Sequence, residues 1–427
     1  MVAYRDRVGA RRAGEGGFKG LVRHPGFVRL WVADGLSNLG IFTFTLALQF
    51  LMIDVIGANQ VEIGLVRSAQ WLPFLLFGLI SGVVADRVRR KHLLVGTDIA
   101  SSVILFLIAG LAIGGVLTMP VLTGLVFLLG SVAVLNGGTH QSFVADLLPP
   151  RLLTSGNVAL TQTYTAAQTL GPIIGGFLVR LIGAPLAMVA NGFPPAISAL
   201  LLWRVPDVDR ERVPARRSVI GDLREGIGYV YRHKMLAPYA LTLHTWFIGN
   251  SVAGTVYVFH AAAIGLDSTM IGITLACAGA TGILGAALAE RASNRLGLGV
   301  VVAGADFFTG AGWLMVALAP EGGAAFLALC AAQLVYGFGL GIRGPLEGSY
   351  RNAVTPTELR GRMNTTIRSF NWGLIAVAAP LGGWLAFTFG DRVALGTGGA
   401  TIIAAGTVLM LSRYRGATMP REEGMAG

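Results

Sequence analysis

The sequence predicts an all-α membrane protein, with twelve transmembrane helices in two pseudo-symmetric six-helix bundles. Three observations predict it. Of the 427 residues, 54% are apolar and only 13% carry charge, about half the charged share of an ordinary soluble domain. Apolar stretches long enough to cross a bilayer as helix, roughly 20 residues, recur twelve times. Polar and glycine landmarks in the first half return in the second at a nearly constant offset. The mean hydropathy of +0.66 excludes a disordered chain and an ordinary soluble enzyme. The two cysteines, Cys277 and Cys330, lie in apolar runs and form neither a disulfide framework nor a metal site.

The expected spans are 28–54, 63–85, 92–113, 120–141, 156–181 and 185–203, then 236–261, 269–290, 299–319, 323–345, 364–388 and 393–412. They divide the chain into a basic tail (1–27), a first bundle (28–203), a linker (204–235), a second bundle (236–412) and a closing tail (413–427). The first 27 residues do not read as a signal peptide, because the apolar run after them is too long and lacks a small-residue cleavage pattern. In the linker, Ile220, Leu223, Ile227 and Tyr231 recur at helical spacing among charges, a pattern expected of a surface-lying amphipathic helix; an ordinary solvated linker helix fits the same spacing.

Charge placement supplies orientation. Of 33 Lys and Arg residues, all but Arg67, Arg180 and Arg392 fall on the side of the termini, including those from Arg343 to Arg368 around the tenth-to-eleventh connection. Such a bias marks the cytoplasmic face, so both termini are expected there, in a cell membrane of bacterial type. The net charge of +11 is therefore a topology signal. No aromatic-basic interleaving points to nucleic acid.

The internal repeat has an offset of 207: Pro149 matches Pro356, Leu152 matches Leu359, Asn157 matches Asn364, Gly175-Gly176 matches Gly382-Gly383, Leu178 matches Leu385 and Gly183 matches Gly390. At offset 208, Gly96 and Asp98 match Gly304 and Asp306; at offset 204, Ala85-Asp86-Arg87 is echoed by Ala289-Glu290-Arg291. Parallel six-helix halves about a membrane-normal axis are a transporter architecture.

The run Gly82-Val-Val-Ala-Asp86-Arg87-Val-Arg89-Arg90-Lys91 resembles the signature loop between helices 2 and 3 of the major facilitator superfamily, with Arg89 where the family has glycine. Gly171-Pro172-Ile-Ile-Gly175-Gly176 resembles the fifth-helix motif of its antiporters, with Ala167 where that motif has glycine. The stretches Pro25–Gly40 and Pro149–Asn157 resemble the branch called transmembrane secretion effectors, which includes enterobactin exporters and macrolide efflux proteins. The resemblance covers residues 24–412. It implies a monomeric secondary transporter in which helices 1, 4, 7 and 10 line a central cavity and helices 2, 5, 8 and 11 join the halves. It implies gating by Gly82, Asp86, Arg87 and Arg90 and by the helix-5 kink at Gly171, Pro172, Gly175 and Gly176. The alternative reading of the loop is plain topogenic charge, and of the kink, mere packing.

Within the spans, Asp34, Asn38, Thr45 and Gln49 share one face of helix 1. A polar stripe in an apolar helix faces protein or water. Asp34 is the candidate carrier of a coupling proton; the alternative is a structural acid near the helix end. Further cavity candidates are Asn136 and His140 on helix 4, Gln168 on helix 5, His244, Trp246, Asn250 and Tyr257 on helix 7, Gln333 and Tyr336 on helix 10, and Asn371 and Trp372 on helix 11. Family members often carry an arginine near the position of Asn136. Asp54 and Arg67 end up on the same side and are expected to pair there. Asp98 and Asp306 are expected to be structural.

These residues describe an apolar, aromatic cavity with few charges, suited to a hydrophobic or amphipathic small molecule such as a drug, a natural product or a siderophore. The function expected is proton-coupled export by alternating access. An importer or uniporter on the same fold is the rival. No Walker-type phosphate loop, paired in-span acids or His/Cys cluster suggests an enzyme or a cofactor.

Overall fold

The computed structural model describes residues 18–205 and 219–419. The basic N-terminal tail up to residue 17, the linker segment 206–218 and the tail from residue 420 lie outside the described residues. After a short helix, Phe18–Val22, the chain enters α1, Pro25–Phe50, which continues as a π-helical turn, Leu51–Ile56. Then follow α2 (Gln60–Arg87), α3 (Arg90–Ile113) and α4 (Met119–Leu147). One 54-residue helix, Pro150–Trp203, breaks at Gly183 and supplies two crossings, α5 (150–182) and α6 (184–203). The second half comprises α7 (Leu236–Ala263), α8 (Ser268–Leu296), α9 (Leu298–Ala317), α10 (Ala325–Val354), α11 (Thr357–Phe389) and α12 (Asp391–Leu411). Nine helices among the described residues are long and apolar enough to cross a membrane. The broken helix counts among them once, and α2 and α7, of 28 residues each, complete the two bundles.

Local chemistry sets the helix ends. Proline opens α1 and α5, where the missing N–H costs nothing. Asp267 caps α8 by accepting from the Met270 N–H at 2.8 Å. Gly183 (φ 78°) and its repeat partner Gly390 (φ 94°) make the bends between α5 and α6 and between α11 and α12, a backbone region closed to most side chains.

Within the first half, α1 packs on α5, α3 on the α5–α6 helix and α2 on α4; within the second, α8 packs on α10, α9 on α10 and α12, and α7 on α12. The halves meet along two seams, α2 against α11 and α5 against α8. These are the helices expected from the family resemblance to join them. The described termini, the linker helix and the connection Arg87–Arg90 share one end, here called the basic end; the other is the far end.

The linker contains a helix, Val219–Arg232. It docks on the second half rather than standing free. Glu225 pairs with Arg362, the Tyr229 hydroxyl donates to the Val354 carbonyl at 2.9 Å, and Gly226 lies close against Arg362 and Thr366 of α11.

Candidate functional site

Both seams are built by glycines in matching places. On α5, Gly175 lies against the Thr43 backbone of α1, and the next residue, Gly176, lies against the Ser268 carbonyl of α8. Their repeat partners do the same: Gly382 meets Val252 of α7, and Gly383 meets the Gln60 carbonyl of α2. Gly272 faces Pro172, and Gly64 faces Ala379 and Pro380 across the other seam. A Cβ at any of these six positions has no room without backbone movement. Small residues let helix backbones touch, the main means of tight association in a membrane. Gly171, also named for the kink, packs on Phe42 of α1.

The cross-half contacts gather toward the far end. Arg180 of α5 pairs with Asp267 at 3.0 Å. Gln60 donates to Asp391 at 3.1 Å, Ser68 to the Ala376 carbonyl at 2.6 Å and Ser268 to the Gly176 carbonyl at 2.9 Å. Below them Trp372 of α11 stands edge-on to Phe74 of α2, with ring centroids 4.6 Å apart. The approach is last seen at Thr169–Gly279 on one seam and Gly78–Ser369 on the other. Closer to the basic end, α5 presents Asn157, Thr161 and Gln168 exposed, and α11 presents Arg368 exposed. Among the described residues, the close contacts between the halves thus lie toward the far end.

The expected Asp54–Arg67 pair does not form. Asp54 sits exposed on the π-helical turn, while Arg67 lies inside the bundle and donates to the Gly254 carbonyl of α7 at 2.8 Å. Arg67 lies well down α2, where Asp54 at the end of α1 does not reach it. The far-end pair is Arg180–Asp267 instead, made by an arginine counted in the sequence only as an exception to the charge bias.

In the first half, Asp34 of α1 meets His140 of α4, with Oδ1 3.1 Å from Nε2. Asn38 donates to the other carboxylate oxygen and to the Asp34 carbonyl, both at 2.9 Å. Asn136 does not join them. Its amide donates to Thr97 and Asp98 of α3, at 2.9 and 3.0 Å, and Ser198 of α6 donates to Asp98 at 2.5 Å. Asn136 is therefore spent on packing α4 against α3. Thr45 is exposed and donates to the Ile41 carbonyl; Gln49 is buried, with Oε1 unpartnered.

The second half departs from expectation most. Arg343 sits 3% exposed on α10 and pairs with both Asp306 of α9, fully buried, and Glu347 one turn along its own helix. Arg343 stands at the end of the tenth span expected from the sequence, among the charges that surround the next connection. The helix runs to Val354, which brings Glu347 and Arg351 onto it as well. The signal was present: at the repeat offset of 207, Asn136 maps onto Arg343 and His140 onto Glu347.

The polar residues of α7 also face neighbours instead of a hollow. Trp246 donates to Thr309 of α9 at 3.1 Å and lies under the Arg343 guanidinium, 5.2 Å from the ring centre. Asn250 accepts from Trp313 at 3.1 Å and Tyr336 at 2.9 Å. Tyr257 and Thr274 share a hydrogen bond of 2.6 Å, and Gln333 is buried. His244 bridges Asn371 (2.6 Å) and Tyr231 of the linker helix (2.7 Å). A polar atom surrounded by hydrocarbon needs a partner, and here neighbouring helices of the same half provide it.

A cavity of about 560 Å³ opens in the basic-end part of the second half, among α7, α10 and α11. Of the fourteen side chains expected around a cavity, only Asn371 and Trp372 line it; the others named here are Leu243, Phe247, Glu347, Arg351, Asn364 and Arg368. The wall is polar and charged rather than apolar and aromatic. Of the signature loop, Arg90 pairs with Asp146 at the end of α4 at 2.6 Å, within its own half. Gly82, Asp86 and Arg87 fall on the α2 backbone, and their side chains lie outside the described residues.

Two bundles joined by glycine seams between helices 2 and 11 and between 5 and 8 have the architecture of a transporter of the major facilitator type. The transmembrane secretion effector family matches residues 18–422, and the chain belongs to that family. It is a family of membrane transporters and not of enzymes. The chain is 26% identical over 227 residues to the MFS-type transporter YkuC of Bacillus subtilis, a match spanning 51% of this chain and about half (52%) of that relative's length. It is 20% identical over 390 residues to macrolide efflux protein A of Streptococcus pyogenes, across 86% of this chain and 90% of that one. Its fold matches a bacterial homologue of the iron transporter ferroportin in the inward-facing state, with a TM-score of 0.72 at 17% identity, over 93% of this chain and 100% of that one.

Proposed function

We propose that this protein exports an amphipathic small molecule across the bacterial cell membrane in exchange for protons, by alternating access. The observation that carries the reading is the asymmetry of the cross-half contacts. The far end is shut by backbone-to-backbone glycine contacts and the Arg180–Asp267 pair, while polar faces of α5 and α11 stand open toward the basic end. With the basic end taken as cytoplasmic by its arginine excess, this is the inward-open state. The two glycine seams are the surfaces about which the halves rock. The macrolide efflux relative supports export as the direction.

Asp34 and His140 hold the coupling proton. They link α1 to α4 inside the first half, so proton arrival changes a contact between two helices of that bundle. A carboxylate within the bundle is costly to keep charged unless paired, and His140 is the side chain that faces it. Glycine, proline and asparagine landmarks recur in both halves, but Leu241 and Glu347 stand at the repeat positions of Asp34 and His140, which supports the first half as the place of the proton step; the acid–histidine pair of the second half, His260–Asp391, lies at the far end.

The test is flux in inverted vesicles with and without a pH gradient, against a panel of amphipathic compounds. Native protein moves substrate only with the gradient, and Asp34→Asn loses at least about tenfold of the coupled rate while still binding substrate. Coupled flux unchanged in Asp34→Asn overturns the proton assignment; flux indifferent to any ion gradient overturns the active-export reading.

A further inference from the structure

The cavity in the second half carries more positive charge than its own packing uses. Glu347 is the one carboxylate among its described lining, and Arg343 already engages it. Arg351 and Arg368 line the same cavity, and neither has a carboxylate partner among the described residues. Arg351 leans over the Tyr239 ring at 5.9 Å, and its buried Nε has no acceptor. Arg368 projects into the opening over the Trp372 ring, 5.1 Å from its centre. A buried guanidinium donor left unmatched costs free energy that an incoming acceptor recovers.

The repeat shows that neither arginine is demanded by the fold. At the offset of 207, Arg351 corresponds to Val144 and Arg368 to Thr161. The first bundle packs the same helices without a cation at either place. Charge that merely oriented the chain in the membrane would serve equally in the solvated connections, where several arginines already stand. These two are instead on helices α10 and α11, beside Trp372 and Phe247, which offer apolar surface in the same cavity.

We infer that this cavity binds an amphipathic anion: a carboxylate or comparable acidic group held by Arg351 and Arg368, with a flat apolar body against Trp372 and Phe247. Guanidinium groups match carboxylates as paired donors, and the Trp372 and Phe247 rings supply apolar contact within an otherwise polar wall. The substrate class is thereby narrowed from hydrophobic compounds in general to those bearing negative charge. The inference rests on the cavity being the substrate site of the proposed exporter.

Calorimetry on the full chain in lipid-free detergent separates the two. The probes are 2-naphthoate, its neutral counterpart 2-naphthamide, and the cationic 2-naphthylmethylammonium. The native protein is expected to bind naphthoate about tenfold more tightly than the amide, and the cation more weakly than either. Arg368→Gln removes that preference; Arg368→Lys keeps part of it. The Arg368 side chain is exposed, so this variant decides the matter even where Arg351→Gln fails to fold. Equal affinity for naphthoate and amide, undetectable naphthoate binding at millimolar probe, or a preference that survives Arg368→Gln overturns the inference. Flux independent of any gradient alongside an intact naphthoate preference sinks the export reading alone; intact coupled flux without the preference sinks this one alone.

Discussion

On α3 of the first half, Asp98 accepts from the Asn136 amide and the Ser198 hydroxyl; at the matching place on α9 of the second, Asp306 receives the Arg343 guanidinium, which also holds Glu347. Around these contrasting groups the backbone arrangement is shared, down to consecutive glycines touching equivalent partners on both seams. The glycine contacts involve no side chain on the α5 or α11 side, so they persist only if both halves keep their helix spacing. Buried polar groups need satisfaction one by one, and each half has found a different set. The seams are thus the common machinery of motion, and the charges are where the halves have been given separate tasks.

The contrast breaks most sharply at Arg343. Arg343→Ala strands Asp306 and Glu347 and is expected to cost about 3–5 kcal/mol, whereas Asn136→Ala removes a neutral amide and costs about 1–3 kcal/mol. Thermal unfolding of both variants in the same detergent measures the gap; equal losses mean that the two clusters are interchangeable. The seams should respond alike. Gly176→Val and Gly383→Val each overpack a backbone contact by about 1–3 kcal/mol and push the far end apart. Spin labels on Leu181 and Leu318, both exposed at that end, read the separation, and a shift in only one variant denies the equivalence of the seams.

Smaller effects come from the exposed groups. Arg180→Gln removes a solvent-facing pair worth about 0–1 kcal/mol, so far-end closure survives it, with the label distance unchanged. A large opening would move the closure from the glycines to the ion pair. The smallest change concerns the start of α7, where His233 Nδ1 accepts from the N–H groups of Met235 and Leu236, both at 3.2 Å. Partial burial pushes this imidazole below its ordinary value of 6.5. The folded protein favours the neutral ring, so its contribution is present above that value and fades as pH falls through the lowered one. Protection of the Met235 and Leu236 amides, relative to their intrinsic exchange rates, should fall between pH 7 and 5 in the native protein and stay flat in His233→Asn.

The bundle plan was legible because its signals are local. Runs of about 20 apolar residues, one-sided arginine and the recurrence of Gly175-Gly176 as Gly382-Gly383 are read directly along the chain. The polar interior was only half legible. Helical spacing put Asp34 and Asn38 on one face but says nothing about rotation toward a neighbour. Hence Asn136, Trp246, Asn250 and Tyr257 were expected around a hollow and instead bind adjoining helices. Asp54 and Arg67 lie on the same side of the membrane, but Arg67 sits about two turns into α2 and turns toward Gly254 of α7, so the pair expected from sidedness alone does not exist.

Composition and periodicity determined the membrane class, the two-fold repeat and the glycines available for close approach, because hydrocarbon admits little besides helices whose backbone bonds are internal. Tertiary packing alone decided that the far end is shut, that Asp34 meets His140, and that Arg351 and Arg368 share one cavity. Those pairings join residues far apart in sequence, and a side chain's partner depends on how neighbouring helices are turned about their axes, which a one-dimensional pattern does not record.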